Sequence, residues 1–482
     1  MRLNDKSLLR HAALIDGEWL EAGNDCIKVI NPSTHEVIGS VPSLGIDEIK
    51  KAIKAAEKAQ KSWAKVPAKK RSDILRKWYD LIIENVDDLA TILTAEQGKP
   101  LAEAKGEVVY AASFVEWFAE EARRSYGDII PGQSEDKRIF VIKQPVGVVA
   151  AITPWNFPTS MITRKVAPAL AAGCSIVLKP AELTPYSAIA HGILAERAGL
   201  PKGLFNIVMG DAPMIGAEMT SSPIVRKISF TGSTRVGSIL MAQSAPTVKK
   251  MALELGGNAP FIIFDDADID AAVKGVISAK FRNNGQTCVC ANRIYVHGDI
   301  YQAFSKKLSN HLAELKVGDG FSDDVTFGPL INEGAISKVE EHIKDAVSKG
   351  AKIIAGGKPH KLGGTFFEPT ILADVTQDML IASEETFGPV APLFKFTTED
   401  EVVEMANDTE FGLASYVFTN DVSRVWRVSE ALEYGMVGIN TGAISTAQAP
   451  FGGIKSSGIG REGSKYGLED FLELKYICMG GL

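Results

Sequence analysis

Short apolar runs alternate with longer segments of helical periodicity through much of the chain. The clearest runs are residues 148–152 (VVAAI), 175–178 (SIVL), 205–208 (FNIV) and 227–230 (KISF). Strands that are buried on both faces read as continuous apolar runs of this length, and parallel neighbours need crossover helices between them. The pattern therefore predicts an α/β fold in which helices connect the strands of a parallel sheet.

A second series of apolar runs follows Glu254. Its strand candidates include residues 261–264 (FIIF) and 293–296 (RIYV), and it ends near a glycine-rich run at 452–467. The chain of 482 residues also exceeds the size, about 250 to 300 residues, at which a single core stops growing. We therefore expect at least two domains and interpret the second series as a second α/β domain.

Charge and composition are those of an ordinary globular protein. The net charge is −7 and 23% of the residues are charged, which argues against a nucleic-acid-binding surface. The basic stretch from Lys50 to Lys77 spaces its Ile and Ala residues as an amphipathic helix does. We therefore predict a solvated amphipathic helix there.

Neither the start of the chain nor its cysteine content indicates export. Residues 1–7 (MRLNDKS) lack the apolar core of a secretory signal, and no apolar stretch reaches the length of a membrane span. The cysteines are sparse and odd in number, as in a reducing compartment. They are Cys26, Cys174, Cys288, Cys290 and Cys478. We expect a cytoplasmic protein with no membrane contact.

Residues 281–293 (FRNNGQTCVCANR) form a glycine-bearing polar turn that presents Cys288 among uncharged amides. A thiol attacks as thiolate, and an unperturbed cysteine with a pKa of about 8.5 is mostly protonated at neutral pH. Its surroundings or a nearby base must therefore activate it. Taken alone, a single cysteine is usually a small buried apolar residue.

A candidate base lies in residues 249–258 (KKMALELGGN), where Glu254 interrupts an apolar stretch before two glycines. Partial desolvation would raise the pKa of this carboxyl group, and a raised pKa suits a general base near neutrality. Read in isolation, a single glutamate is usually part of a solvated face. The seven histidines are scattered and none has zinc-site spacing, so no metal is predicted.

These two segments, together with residues 152–158 (ITPWNFP) and 384–389 (EETFGP), resemble the aldehyde dehydrogenase superfamily over essentially the whole chain. The resemblance implies a Rossmann-like NAD(P)-binding domain (1–123 and 147–254) and an α/β catalytic domain (255–450). It also implies a small β extension for oligomerisation (124–146 and 468–482). Homodimers or homotetramers would follow.

The pair of Cys288 and Cys290 and residues 450–467 (PFGGIKSSGIGREGSKYG) resemble the succinate-semialdehyde dehydrogenases within that superfamily. The implied reaction is NAD(P)-dependent oxidation of succinate semialdehyde, or a close carboxylated semialdehyde, through a cysteine thiohemiacetal and a thioester. Alternatives are a glutarate-semialdehyde dehydrogenase, an enzyme that releases the thioester to coenzyme A, a nicotinamide-free thiol hydrolase and an inactive scaffold.

The resemblance assigns a role to each candidate residue. Cys288 would be the nucleophile and Glu254 the general base, while the side-chain amide of Asn156 and the backbone N–H of Cys288 would stabilise the oxyanion. The carboxylate of a semialdehyde would be bound by Arg164, Arg282 and Ser445. For either arginine, a structural salt bridge is the alternative interpretation. Cys288 and Cys290 could also close a disulfide under oxidation.

The cofactor site is predicted at residues 228–237 (ISFTGSTRVG), where a strand runs into a helix that Ser233 can cap. The literal G-x-G-x-x-G at 458–463 follows a loop and lacks the strand and the acidic residue of a nucleotide-binding unit. Glu182 can accept hydrogen bonds from both ribose hydroxyls and would repel a 2′-phosphate, which favours NAD over NADP. By resemblance, the cofactor-binding residues are Thr153, Pro154, Trp155, Lys179, Pro180, Ala181, Glu182, Gly232, Ser233, Leu255, Glu385 and Phe387.

Overall fold

Two large sheets organise the chain in the computed structural model, which describes residues 2–482. The strands of these residues are β1 (Ala12–Ile15), β2 (Glu18–Glu21), β3 (Cys26–Ile30), β4 (Val37–Pro42), β5 (Asp128–Ile130), β6 (Arg138–Pro145), β7 (Val148–Ile152), β8 (Ser175–Lys179), β9 (Phe205–Ile207), β10 (Val225–Thr231), β11 (Lys250–Glu254), β12 (Ala259–Ile263), β13 (Ala291–His297), β14 (Lys352–Ala355), β15 (Thr370–Ala373), β16 (Val390–Phe396), β17 (Ala414–Phe418), β18 (Met436–Ile439), β19 (Gly458–Ile459) and β20 (Leu472–Met479). The α-helices are α1 (Ile46–Trp63), α2 (Ala68–Glu84), α3 (Val86–Gln97), α4 (Leu101–Glu121), α5 (Pro158–Ala172), α6 (Pro185–Arg197), α7 (Ala212–Ser221), α8 (Thr234–Ser244), α9 (Ile269–Val276), α10 (Tyr301–Leu312), α11 (Glu333–Ser348), α12 (Leu380–Ser383), α13 (Glu399–Asn407), α14 (Val422–Ala431) and α15 (Ser464–Glu469).

The first sheet has the strand order β19-β11-β10-β7-β8-β9-β1-β2. Its five central strands, β7 to β11, are parallel, whereas β19, β1 and β2 pair antiparallel at the margins. From β7, the chain first adds β8 and β9 on one side and then β10 and β11 on the other. The loops that follow β7 and β10 therefore lead to opposite sides of the sheet, which makes this a switch point. In open α/β sheets, ligands bind at the carboxyl ends of the strands at such a point.

The second sheet has the strand order β14-β15-β16-β13-β12-β17-β18 and is parallel except for the edge strand β14. Separate apolar clusters cover its two faces. All six apolar runs that were predicted as strands match observed strands to within two residues at each end. The predicted α/β architecture, a Rossmann-like domain followed by a second α/β domain, is therefore confirmed.

Two smaller antiparallel sheets complete the fold. One consists of β3 and β4, and the other has the order β20-β6-β5 and joins residues from the middle and the end of the chain. Residues 451–467, which the predicted domain boundaries left unassigned, contribute β19 to the first sheet. None of the helices in residues 2–482 is both long and apolar enough to cross a membrane.

The predicted helix from Lys50 to Lys77 was wrong in one respect, because the structure divides it into α1 and α2. Pro67 precedes α2, and a proline disfavours helical backbone in the residue before it. The amphipathic character is as expected, since α1 buries a face that includes Ile49, Ala52, Ile53 and Ala56.

Candidate active site

The nucleophile turn, residues 282–290, leads from α9 and a π-helical turn into β13. Asn283, Asn284 and Gly285 all adopt left-handed backbone, with φ of 50°, 58° and 76°. Asparagine and glycine tolerate this conformation better than other residues do. A Cβ atom on Gly285 would also collide with the carbonyl of Gly388. The sequence Asn-Asn-Gly therefore determines the path of the backbone toward Cys288.

Two cavities meet at Cys288, which lines both. The first has a volume of about 300 Å³ and is lined by all three predicted substrate residues, Arg164, Arg282 and Ser445. The second has a volume of about 280 Å³. Besides Cys288, eight of the predicted site residues line this second cavity, namely Pro154, Trp155, Asn156, Gly232, Ser233, Leu255, Glu385 and Phe387. A group in one cavity could therefore react with a group in the other at the thiol.

The remaining predicted cofactor residues lie at the carboxyl ends of β7 and β8, outside the lining of either cavity. Thr153 follows β7, and its backbone N–H donates to the carbonyl of Lys179 at 3.1 Å. Lys179 is buried and pairs with the half-exposed carboxylate of Glu182 at 2.8 Å. Pro180 and Ala181 connect these two residues. Together they form a polar edge next to the switch point.

The two arginines of the first cavity differ in their partners. Arg164 is fully buried and its Nε lies 2.6 Å from a carboxylate oxygen of Glu462, so the salt bridge left open as an alternative is present. Its Nη2 has no hydrogen-bond partner. Within residues 2–482, the Arg282 side chain forms no ion pair; its guanidinium lies 5.3 Å from the ring centre of Phe157. Arg282 is therefore a cation free to bind an anion.

Glu254 ends β11 and is buried, and its Oε2 has no hydrogen-bond partner. Burial and the neighbouring carboxylate of Glu462 hold its pKa well above the usual range. The predicted desolvated carboxyl group is thus present. Glu462 itself is buried between Arg164 and Lys165 and pairs with both.

The glycine-rich run packs against Glu254 and does not form a phosphate loop. Gly458 pairs with Glu254 across β19 and β11, and a Cβ atom on Gly452 would lie 2.8 Å from Glu254 Oε1. These close approaches explain why glycine stands at both positions. The literal G-x-G-x-x-G at 458–463 therefore begins as a strand beside the backbone of Glu254, while Gly452, before it, lies against the carboxyl group.

Asn156 lies at the start of α5 and is buried. Its Nδ2 donates to the carbonyl of Gln286 at 3.1 Å, and its Oδ1 has no partner. One of the two N–H bonds of the amide group is therefore available to a ligand. The backbone N–H of Cys288 also lacks an acceptor in the described part of the chain. Two unoccupied donors thus lie beside the thiol.

Glu385 is held in the wall of the second cavity by the backbone N–H of Gly257, which donates to Oε1 at 3.2 Å. Burial raises the pKa of Glu385 to about 7. The rings of Trp155 and Phe387 meet edge to face, with centres 5.6 Å apart. The cavity therefore combines an aromatic wall with a carboxyl group that has one uncommitted oxygen.

Burial, with a smaller contribution from Glu385, raises the pKa of the Cys288 thiol to about 12. We therefore expect alkylation of Cys288 by iodoacetamide, in the enzyme without cofactor, to accelerate about tenfold per pH unit between pH 7 and pH 9. Peptide mass spectrometry would follow the reaction at this residue. A rate that levels off below pH 8 would contradict the burial of the thiol.

Cys290 is buried, and its Sγ lies 3.3 Å from the carbonyl oxygen of Gly285 and 3.6 Å from that of Lys280. Both Cys288 and Cys290 are free thiols in the structure. Closing a disulfide would require the nucleophile turn to change shape. The redox switch therefore stays a prediction.

Several residues of the first cavity carried no motif in the sequence. They are Lys99, which lies between α3 and α4, and Glu103, Glu107 and Tyr110 of α4. Lys99 and Glu107 form a fully buried ion pair at 2.5 Å. The buried hydroxyl of Tyr110 has no hydrogen-bond partner. The only signal that could have found them is the spacing of charged residues by four along one helix face.

Comparison with known proteins places this geometry in a family. Residues 19–477 match the model of the aldehyde dehydrogenase family. The chain is 64% identical to the glutarate-semialdehyde dehydrogenase of Pseudomonas aeruginosa and 61% identical to the NADP(+) succinate-semialdehyde dehydrogenase of Escherichia coli, and each alignment covers 100% of both proteins. The crystal structure of an aldehyde dehydrogenase from Brucella melitensis superposes with a TM-score of 0.99 at 62% identity and covers 100% of both chains. The chain therefore belongs to the aldehyde dehydrogenase family.

Proposed function

We propose that this protein oxidises a short aldehyde with a terminal carboxylate, such as succinate or glutarate semialdehyde, to the dicarboxylic acid. The observation that carries this proposal is a half-buried thiol at the junction of two cavities, one of which contains the unpaired guanidinium of Arg282. The two semialdehydes differ by one methylene, worth about 1 to 3 kcal/mol in a pocket. An assay with a panel of aldehydes of different length and charge, each with NAD and NADP, tests the proposal.

The second cavity fits a nicotinamide dinucleotide. It lies at the carboxyl ends of parallel strands, and α8 begins beside it with Ser233 as its N-cap. A pyrophosphate can bind the free N–H groups at such a helix end. The buried hydroxyl of Thr231 lacks a partner there, and Glu385 has an oxygen left for a ribose hydroxyl. When bound, the cofactor supplies the acceptor for the hydride of the aldehyde carbon.

Cys288 carries the covalent chemistry in this proposal. The thiol first loses its proton to solvent. As the thiolate, its Sγ forms a bond to the aldehyde carbon, the π bond of the carbonyl group breaks, and the carbonyl oxygen becomes an oxyanion. The amide of Asn156 and the backbone N–H of Cys288 donate hydrogen bonds to that oxygen. These hydrogen bonds stabilise the oxyanion more than they would in water, because the site is buried. Loss of the hydride from the same carbon leaves a thioester on Cys288.

Glu254 completes the cycle by promoting hydrolysis. A water molecule attacks the thioester carbon, Glu254 takes its proton, and the thiol of Cys288 leaves as the acid is released. The raised pKa of Glu254 makes its ionised form a stronger base than an exposed carboxylate. A base in this position favours water as the acceptor over coenzyme A.

Arg282 binds the substrate carboxylate, because its planar guanidinium group can donate hydrogen bonds to both carboxylate oxygens. The Nη2 of Arg164 and the hydroxyl groups of Tyr110 and Ser445 line the same cavity and add donors. Arg164 is already paired with Glu462. We therefore assign the larger share of carboxylate binding to Arg282.

Replacing Arg282 with leucine should raise the KM for succinate semialdehyde by about 100-fold, because a charged hydrogen-bonding partner of the substrate is lost. The KM for uncharged butanal should change by less than about threefold. Steady-state kinetics with both aldehydes measure the difference. Equal losses on the two substrates would refute the role of Arg282.

We propose NAD as the preferred cofactor because Glu182 stays ionised beside the ribose site. Burial alone would raise the pKa of the Glu182 carboxyl group. The charge and hydrogen bond of Lys179 lower it by more, so the net shift of the pKa is downward. Replacing Glu182 with serine should raise the ratio of kcat/KM for NADP to that for NAD at least about tenfold; solvent screening of the half-exposed carboxylate limits the gain. A variant whose ratio is unchanged would remove this assignment.

We propose that the β20-β6-β5 sheet joins subunits in a homodimer or homotetramer. Its exposed side chains include apolar ones such as Ile129, Leu474 and Tyr476, which are 79%, 70% and 61% exposed. Large apolar side chains exposed on both faces of a small sheet are typical of an interface. Light scattering of the full chain would establish the number of subunits.

A further inference from the structure

Asn283 lies in the buried nucleophile turn, and each of its polar groups forms a hydrogen bond. Its Nδ2 donates to the carbonyl oxygens of Asn156 at 2.9 Å and Gln286 at 3.2 Å. Its Oδ1 accepts from Gln97 Nε2 at 3.0 Å, and its backbone N–H donates to Glu103 Oε2 at 3.1 Å. The side chain is completely buried. Asn283 therefore ties α3 and α4 to the two segments that carry the proposed oxyanion donors.

The two carbonyl groups that Asn283 binds also locate those donors. The carbonyl of Asn156 belongs to the residue whose amide is proposed to bind the oxyanion, and Lys99 Nζ holds the same oxygen at 2.9 Å. The carbonyl of Gln286 accepts from Asn156 Nδ2 at 3.1 Å and lies two residues before Cys288. One side chain thus fixes the distance between the amide and the nucleophile turn.

We infer that Asn283 is a positioning residue that aligns the amide of Asn156 with the backbone N–H of Cys288, so that both donors meet the developing oxyanion. The inference rests on the roles proposed above for Asn156 and Cys288. Oxyanion donors act only when they are already in place, and a displacement of about 1 Å can cost about 100-fold in rate.

The neighbouring residue provides a matched control. Asn284 is also buried and left-handed, but its side chain donates to the carbonyl of Pro329 at 2.7 Å and accepts from the N–H of Gly328 at 2.9 Å. Asn283→Gly and Asn284→Gly therefore make the same change in the same turn. Glycine adopts positive φ without strain and adds no charge, so each variant loses only side-chain contacts.

The rate of the acylation burst, followed as reduced cofactor after rapid mixing with butanal, should fall about 10- to 100-fold in Asn283→Gly and less than about threefold in Asn284→Gly. Alkylation of Cys288 by iodoacetamide develops no oxyanion, so its rate should stay within about twofold of wild type in both variants. KM for the aldehyde should change little.

Three results would overturn the inference. They are wild-type acylation in Asn283→Gly, an equal loss in both variants, and a loss of alkylation as large as the loss of acylation. The last two would show that Asn283 only keeps the turn folded. Failure of the proposed function itself would be seen separately, as an acylation burst that survives in Cys288→Ala.

Discussion

Replacing Cys288 with alanine is expected to lower kcat at least about 10⁴-fold with any aldehyde, because no other group can form the covalent intermediate. In the part of the chain that the structure describes, Cys288 is the only cysteine that lines both cavities. The variant loses one sulfur from a cavity wall and should therefore fold normally. Formation of reduced cofactor, followed by its absorbance, measures the effect.

Cys290→Ala is the matched control, since this residue is two positions away, lines neither cavity, and has its thiol near the backbone carbonyl groups of Lys280 and Gly285. It should retain turnover within about threefold of wild type, because a buried cysteine behaves as a small apolar residue. Turnover by Cys288→Ala above about 1% of wild type would refute covalent catalysis at this residue.

Replacing Glu254 with glutamine is expected to lower steady-state kcat by about 10² to 10⁴ and to leave a burst of one reduced cofactor per site, because the acyl-enzyme forms but is not hydrolysed. Glutamine keeps the size of the side chain and removes its basicity. Rapid mixing separates the burst from the slow phase. A Glu254→Gln variant without a burst would show that this residue acts before the thioester forms.

The pKa of Glu254 also predicts the effect of pH on this step. Burial raises the pKa of Glu254, so the carboxyl group becomes a base at a higher pH than an exposed glutamate, whose pKa is about 4.3. The rate of deacylation in the wild type should therefore increase with pH through a range above the one in which an exposed glutamate titrates. In Glu254→Gln this dependence should disappear. A flat profile in the wild type would contradict the buried position of the base.

Local sequence predicted the nucleophile turn because its geometry is local. Left-handed backbone at Asn283, Asn284 and Gly285 needs residue types that tolerate it, and the strand that follows the turn, β13, contains one of the predicted apolar runs. The prediction of one helix from Lys50 to Lys77 was wrong because a proline divides the segment into two helices. Both outcomes depend on neighbouring residues in the sequence.

The surroundings of the candidate residues could not be predicted in the same way. The pairing of Arg164 with Glu462 joins residues 298 positions apart, and Lys165 contacts the same carboxylate. Whether an arginine binds substrate or a carboxylate of its own chain depends on such contacts, which tertiary packing creates. Sequence reasoning therefore left this alternative open for both arginines, and only Arg282 proved to be unpaired.

The most direct test of covalent catalysis is to trap the acyl-enzyme. Glu254→Gln would be mixed with succinate semialdehyde and NAD, quenched in acid after the burst, digested and analysed by tandem mass spectrometry. The proposed mechanism predicts one succinyl group in thioester linkage on Cys288 and none in Cys288→Ala carrying the same Glu254→Gln change. Reduced cofactor in the burst with the succinyl group on another residue, or with no succinyl group on the protein, would contradict it.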